Sequence, residues 1–113
     1  MESTARNEVL LVGRLAAEPV ERELPSGDVL LTLRLVVDRP TSARSAGPRA
    51  ASVDTIDCVG RTAALRRSAL RWQRGDVLEL QGALRRRFFR TPGGAGSRYE
   101  VEVARAKRVS RAA

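Results

Sequence analysis

The stretch GDVLELQGALRRRFF, Gly75 to Phe89, constrains the chain most, because its apolar residues recur at every second position. Leu78, Leu80, Gly82, Leu84 and Phe88 fall on one side of an extended strand. Val77, Glu79, Gln81, Ala83, Arg85, Arg87 and Phe89 fall on the other. The first side reads as a core face. The second ends in two arginines and a ring turned away from that core, which suits a single-stranded nucleic acid: cations for phosphates, a flat surface for bases. The same pattern also suits a solvated basic edge that discourages strand pairing.

The rest of the chain is mostly strand-like. EVLLVGRL, Glu8 to Leu15, is β-rich, and Gly13 within it predicts a bulge or sharp bend. Pro19 to Leu24 is a short edge strand, followed by a turn at Pro25-Ser26-Gly27. Val29 to Val37 is the strongest strand, with Leu31, Leu33, Leu35 and Val37 on one face and Thr32, Arg34 and Val36 on the other. Arg39 to Ala51 has no periodicity and reads as a loop with three arginines. In the strand Val53 to Val59, Ile56 and Cys58 face in, and Val53, Thr55, Asp57 and Val59 face out. The one helix is expected over Arg61 to Arg74, with Ala64, Leu65, Ala69, Leu70 and Trp72 on its apolar side and Gly75 closing it. Thr91 to Ser97 reads as a hairpin loop, and Ser97 to Val109 as a returning strand with Tyr99, Val101 and Val103 inward.

At 113 residues the chain makes one domain, with net charge +8. Residues 1–30 hold three Arg and six Asp or Glu, so the remainder holds 18 basic and 7 acidic residues. That excess suits an acidic partner. A GC-rich coding sequence would favour Arg, Ala and Gly whatever the function, so position weighs more than count. A single cysteine excludes an internal disulfide and fits a reducing compartment. The first residues lack a signal-type pattern and no apolar run reaches membrane-spanning length, which predicts a cytoplasmic protein. The absence of histidine removes imidazole acid–base chemistry and His-containing zinc sites. Cys58 lacks an imidazole base and alternates with Ile56 as an inert core residue. TPGGAGS lacks the lysine of a phosphate-binding loop, and Asp54 and Asp57 point to opposite faces of their strand. No catalytic residue, metal, cofactor or small-molecule substrate is expected.

About five strands with one helix before the final hairpin predict an all-β fold, the five-stranded oligonucleotide-binding (OB-fold) barrel. Here the chain resembles a family. NEVLLVGRLAAEP, Asn7 to Pro19, is similar to the N-x-V-x-L-x-G-x-L-x-x-x-P that opens the bacterial single-stranded DNA-binding proteins. Arg22 with Pro25-Ser26-Gly27, TLRLVV at Thr32 to Val37, GDVLELQGALRRRF and RYEVEV at Arg98 to Val103 resemble the family's later segments in order. The resemblance implies sequence-tolerant binding of single-stranded DNA in replication, repair or recombination, by a homo-oligomer (a tetramer, or else a dimer) located in the cytoplasm on the nucleoid. The domain spans 7–109, with 1–6 and 110–113 as flexible ends.

The resemblance also sets Arg85, Arg87 and Phe89 where the family has two basic residues and a stacking tryptophan. With Arg14, Arg34, Val53, Thr55, Val59 and Arg90 they form the expected nucleic-acid-binding set. The family's other stacking positions fall at Thr41, Val53 and Val59, none aromatic here, and a member without the family's long tail and acidic tip is expected. Each lost stacker removes about 1–3 kcal/mol per base, which arginine would have to offset. A more salt-sensitive binder than the family norm is therefore expected. Trp72 is expected in the core rather than at the bases. Two other readings stay open: an RNA-binding, translation-associated barrel, and an interaction module that associates with another single-stranded DNA-binding protein.

Overall fold

Alternating β-branched and leucine residues favour extended chain over most of this sequence, and six strands form among the described residues. The computed structural model describes residues 4–40 and 52–113. Thr41 and the expected loop from residue 41 to 51 lie outside the described residues. The elements are β1 (Val9–Leu15), β2 (Val20–Glu23), β3 (Val29–Asp38), β4 (Val53–Gly60), α1 (Ala63–Ala69), β5 (Val77–Thr91) and β6 (Gly94–Ser110). The sheet order is β1-β5-β6-β4-β3-β2, and an extra β1–β3 pairing closes five of the strands into a barrel. That is the OB-fold arrangement, with one short helix between β4 and the final hairpin. β2 extends the sheet along the first half of β3, from Val20 opposite Thr32 to Glu23 opposite Val29. Among the described residues no helix is long and apolar enough to cross a membrane.

The core is built from the inward faces foreseen for β3 and β5. Leu31, Leu33 and Leu35 meet Leu78 and Leu80, with Leu15, Cys58, Val101 and Val103 around them and Leu65, Ala69 and Trp72 beneath. Burial of Cys58 pushes its thiol up to about 12, with the charges of Asp57 and Glu100 adding to the effect, so it stays protonated.

The expected helix over 61–74 is halved. Thr62 caps the N-terminus by accepting a hydrogen bond from the Leu65 amide at 3.2 Å. After Ala69 the bonds tighten: Leu70, Arg71 and Trp72 donate to the carbonyls three residues back. This turn brings Trp72 onto the core but leaves Leu70 and Ala64 exposed, against the helical expectation. Gly75 does not cap the helix; its amide instead donates to Leu15 of β1.

Strand phase also departs from simple alternation. Gly13 makes no bulge: β1 pairs with β5 without interruption from Val9 to Arg14. It is glycine because β1 crosses β3 there, and a Cβ would run into the Val36 carbonyl. The irregularities lie in β6. Gln81 faces Arg105 while Gly82 faces Val103, so Ala104 is an extra residue. Val101 and Val103 point inward before it, and Ala106 packs on the core after it. Gly82 sits at this bulge, where a Cβ would overlap the Glu102 carbonyl. Gly82→Ala should therefore lower stability by about 1–3 kcal/mol or more, measurable by urea unfolding; an unchanged midpoint would refute the tight packing.

The 91–97 loop is also shorter than expected. The strands run on to Thr91 and Gly94, and the Thr91 hydroxyl donates to the Gly94 carbonyl at 3.0 Å. β5 and β6 thus outrun the barrel as a two-stranded arm. Leu84, Phe88 and Tyr99 keep the core face but lie beyond the core cluster, so all three are exposed rather than inward.

Asp76 is a fixed point that the sequence reading passed over as part of a turn. Its buried carboxylate accepts from the Ala112 amide at 2.8 Å and the Gln73 amide at 3.0 Å, with Arg108 Nη1 at 3.5 Å. Residues 110–113, expected to be a loose end, hold two attachments here: Ser110 faces Val77 and Ala112 binds Asp76. The Ala112 and Gln73 amides, then Arg108, hold the carboxyl below its ordinary 3.8, against the opposing effect of burial. A depressed value means that the stabilisation is complete above the unfolded aspartate's pKa and is lost as pH falls through the folded one. The protein should therefore begin to lose stability below about pH 4. Asp76→Asn should melt lower at neutral pH and show a flatter acid limb in pH-dependent melting; parallel acid limbs for the two proteins would contradict the clasp.

Candidate nucleic-acid interface

Residues opposite one another in neighbouring strands share a face of the sheet. Arg34 faces Asp57, Val36 faces Thr55, and Asp38 faces Val53 across β3 and β4. Val59 faces Glu102 in the parallel pairing of β4 with β6. Ala83, Arg85, Arg87 and Phe89 of β5 face Glu102, Glu100, Arg98 and Gly96. Arg34, Thr55, Arg85, Arg87 and Phe89 therefore occupy one outer surface running from β3 across β4 and β6 to the arm. Arg14 joins it at the barrel seam, opposite Val36.

Two expected members do not belong. Val59 is only 3% exposed, because its register partner Glu102 and the arginines held by that carboxylate lie on the same face beside it. It offers no surface to a base. Arg90 alternates with Phe89 and so falls on the opposite face of the arm, across from Ala95. Val53 is half-buried at the end of β4.

The ring on this surface is well placed. Phe89 folds back over Gly96, whose missing side chain leaves room for it; a Cβ there would meet the ring at 2.7 Å. One side of the ring is thus backed by the hairpin. Phe89 remains 41% exposed, so the other side is open to a base.

The arginines are not bare cations. Arg14 pairs with Asp38 at 3.2 Å, Arg34 with Asp57 at 3.1 Å, and Arg87 with Glu100 at 3.1 Å. Glu102 holds Arg61 at 3.0 Å and Arg85 at 3.7 Å. At the loop's edge Arg39 donates to Asp54 at 2.8 Å, which holds that carboxyl below its ordinary range and raises the guanidinium. Exposed pairs of this kind contribute only about 0–1 kcal/mol, so a phosphate can take the carboxylate's place. Arg87–Glu100 differs, since Glu100 is 3% exposed and depends on its partner.

Sequence reasoning missed this acidic lattice, although RYEVEV carries its carboxylates at alternate positions opposite the arginines of LRRRF. It also gave Asn7 no role. The Asn7 side chain donates to the Leu84 carbonyl at 2.7 Å and accepts from the Leu84 amide at 2.8 Å, continuing the β1–β5 ladder beyond the strand. That bond fixes where the arm leaves the barrel.

A closed OB barrel whose outer face carries aligned arginines and a backed ring belongs to the class of oligonucleotide-binding folds. The single-strand binding protein family matches over residues 6–109, and the chain is a member of that family. Membership makes it a non-enzymatic protein that binds single-stranded DNA. Among solved structures, the Plasmodium falciparum SSB in complex with ssDNA is similar, with a TM-score of 0.75, 19% identity, and coverage of 97% of this chain and 98% of that one. No curated protein matches.

Proposed function

We propose that single-stranded DNA crosses the outer surface of β3, β4, β6 and the arm, in a domain spanning residues 7–109. A base stacks on Phe89, Arg34 and Arg85 exchange carboxylate partners for phosphates, and Arg87 meets a phosphate while keeping its bond to Glu100. The observation that carries this reading is the alignment of that backed, open ring with three arginines on one sheet face. Thr55 and Arg14 border the path. The processes served are DNA replication, repair and recombination, on the nucleoid in the cytoplasm.

The chain acts as a homo-oligomer. β1 pairs with β3 only through Arg14 and Leu15, so among the described residues the β1 edge from Val9 to Gly13 carries no strand, and Leu10 and Val12 stand exposed beside it. A second copy can add its own β1 there, and a tetramer is two such pairs.

Titration of a fluorescent oligonucleotide at several salt concentrations, with solution mass measured in parallel, tests both statements. Each phosphate neutralised on a single strand adds about 0.7 to the slope of log affinity against log salt. The acidic lattice reduces that yield, because every freed carboxylate takes up a cation. Glu102→Gln releases both Arg61 and Arg85. It should tighten binding by up to about fivefold and steepen the salt slope. An unchanged affinity and slope would show that the lattice does not compete with phosphate.

A further inference from the structure

The arm has a second face, and its chemistry differs from the first. Leu84 faces Val101, Arg86 faces Tyr99, and Phe88 faces Ser97, so these residues share the side opposite Arg85, Arg87 and Phe89. Arg86 lies over two rings, its guanidinium carbon 4.9 Å from the Phe88 centroid and 5.7 Å from that of Tyr99. It also donates to the Ser97 hydroxyl at 3.3 and 3.2 Å. Among the described residues no carboxylate pairs with it. Phe88 and Tyr99 are 70% and 60% exposed. Below them an apolar groove of about 360 Å³ opens at the barrel end, lined in part by Val9, Leu11, Ile56, Leu84 and Val101.

The geometry points to a second base-stacking surface on this inner face of the arm, formed by Phe88, Arg86 and Tyr99, which takes nucleobases of the strand that has crossed Phe89. The inference rests on the single-stranded DNA-binding reading above. Two observations favour a nucleic acid over another protein surface. A guanidinium between open rings supplies the two elements that single strands require, stacking planes and a phosphate partner. The path is also continuous. β1 pairs with β5 as far as Gly82 and the Asn7 side chain takes the Leu84 backbone, so the β5 edge is open only beyond Leu84. Phe88 and Phe89 are adjacent on opposite faces of one strand. A strand leaving Phe89 need only turn around that edge, since neighbouring strands lie about 5 Å apart. On the outer face Arg85 and Arg87 are already matched by Glu102 and Glu100, while Arg98, opposite Arg87, has no ion pair among the described residues. Cations without carboxylate partners therefore lie on both faces of the arm, and Arg86 is set between rings.

The test uses the whole protein and an oligonucleotide of about 30 nucleotides carrying 5-iodouracil, longer than one barrel's usual site. Ultraviolet crosslinking is followed by tryptic mapping. Tyr99 is the sole aromatic residue between the cleavage points at Arg98 and Arg105, so a crosslink there is unambiguous. The expected result is a crosslink in that peptide. Tyr99→Ala and Arg86→Ala should each weaken binding at least about fivefold with unchanged melting and mass, while Tyr99→Phe retains binding. Crosslinks confined to the Phe88–Arg90 peptide, with full affinity in Tyr99→Ala and Arg86→Ala, would overturn this second surface and leave the outer-face reading standing. A fall in solution mass in Tyr99→Ala without a crosslink would overturn it in favour of a contact between copies. Failure of the unaltered protein to bind any oligonucleotide would instead remove the functional reading itself.

Discussion

Trp72→Ala is expected to destabilise the fold by about 3–5 kcal/mol, and single-stranded DNA is expected to leave Trp72 fluorescence nearly unchanged. Tryptophan is a frequent stacking residue, so a lone one in a DNA-binding chain invites the opposite reading. Its position decides the matter. The tight turn after Ala69 carries Trp72 inward, where it is 6% exposed and packed in the same cluster as Leu65, Ala69 and the barrel leucines. Truncation removes the largest side chain of that cluster, and a closed barrel can collapse only partly around the cavity. Urea unfolding measures the loss. Strong quenching on DNA binding, with an unchanged unfolding midpoint in Trp72→Ala, would show that the ring reaches the ligand after all.

Phe89→Ala should do the reverse, weakening single-strand binding by about 1–3 kcal/mol, roughly five- to a hundredfold, with little effect on melting. The ring rests on Gly96 and packs on no core residue, so its loss disturbs only the stacking surface. The flanking arginines will not behave alike, contrary to what their alternate spacing suggests. Arg85→Ala removes one exposed cation and should weaken binding across sequences with a shallower salt slope. Arg87→Ala also strands Glu100, a buried carboxylate, and should lower stability along with affinity. Oligonucleotide titration and melting of the three variants separate these outcomes. Full affinity in Phe89→Ala would remove the ring from the site.

The barrel was legible because its signal is local. Leu31, Leu33 and Leu35, and Leu78 and Leu80, alternate within single strands, and each set reached the core as read. The misplacements arose where a side chain's surroundings depend on distant chain. Leu84, Phe88 and Tyr99 carry the correct phase, yet alternation cannot tell where a barrel stops beneath a strand. Val59 points outward and is still covered, because Glu102 arrives beside it from the far end of the sequence. The ion pairs were hidden for the same reason: Arg34 meets Asp57, and Arg87 meets Glu100, only once the register is fixed. The halved helix is a different case. Its apolar spacing fits a full-length helix, but Asp76 gathers the Gln73 amide into a turn, and no periodicity records that.

The core fixes the alternation of β6 through Ala106 on one side of the extra residue at Ala104 and through Val103 and Val101 on the other. From Tyr99 to the tip, phase is dictated only by the hairpin. The arm can therefore change length without negotiation with the barrel, provided that it changes by even numbers. Adding two residues to each strand near Pro92-Gly93 would move the tip outward by roughly 7 Å and return every existing ring and arginine to its own side. Adding one to each strand would exchange the sides of every residue beyond the insertion, and the core would not register the error. Descendants of such a chain can vary the reach of the arm freely, while the assignment of its two faces is inherited as a matter of parity.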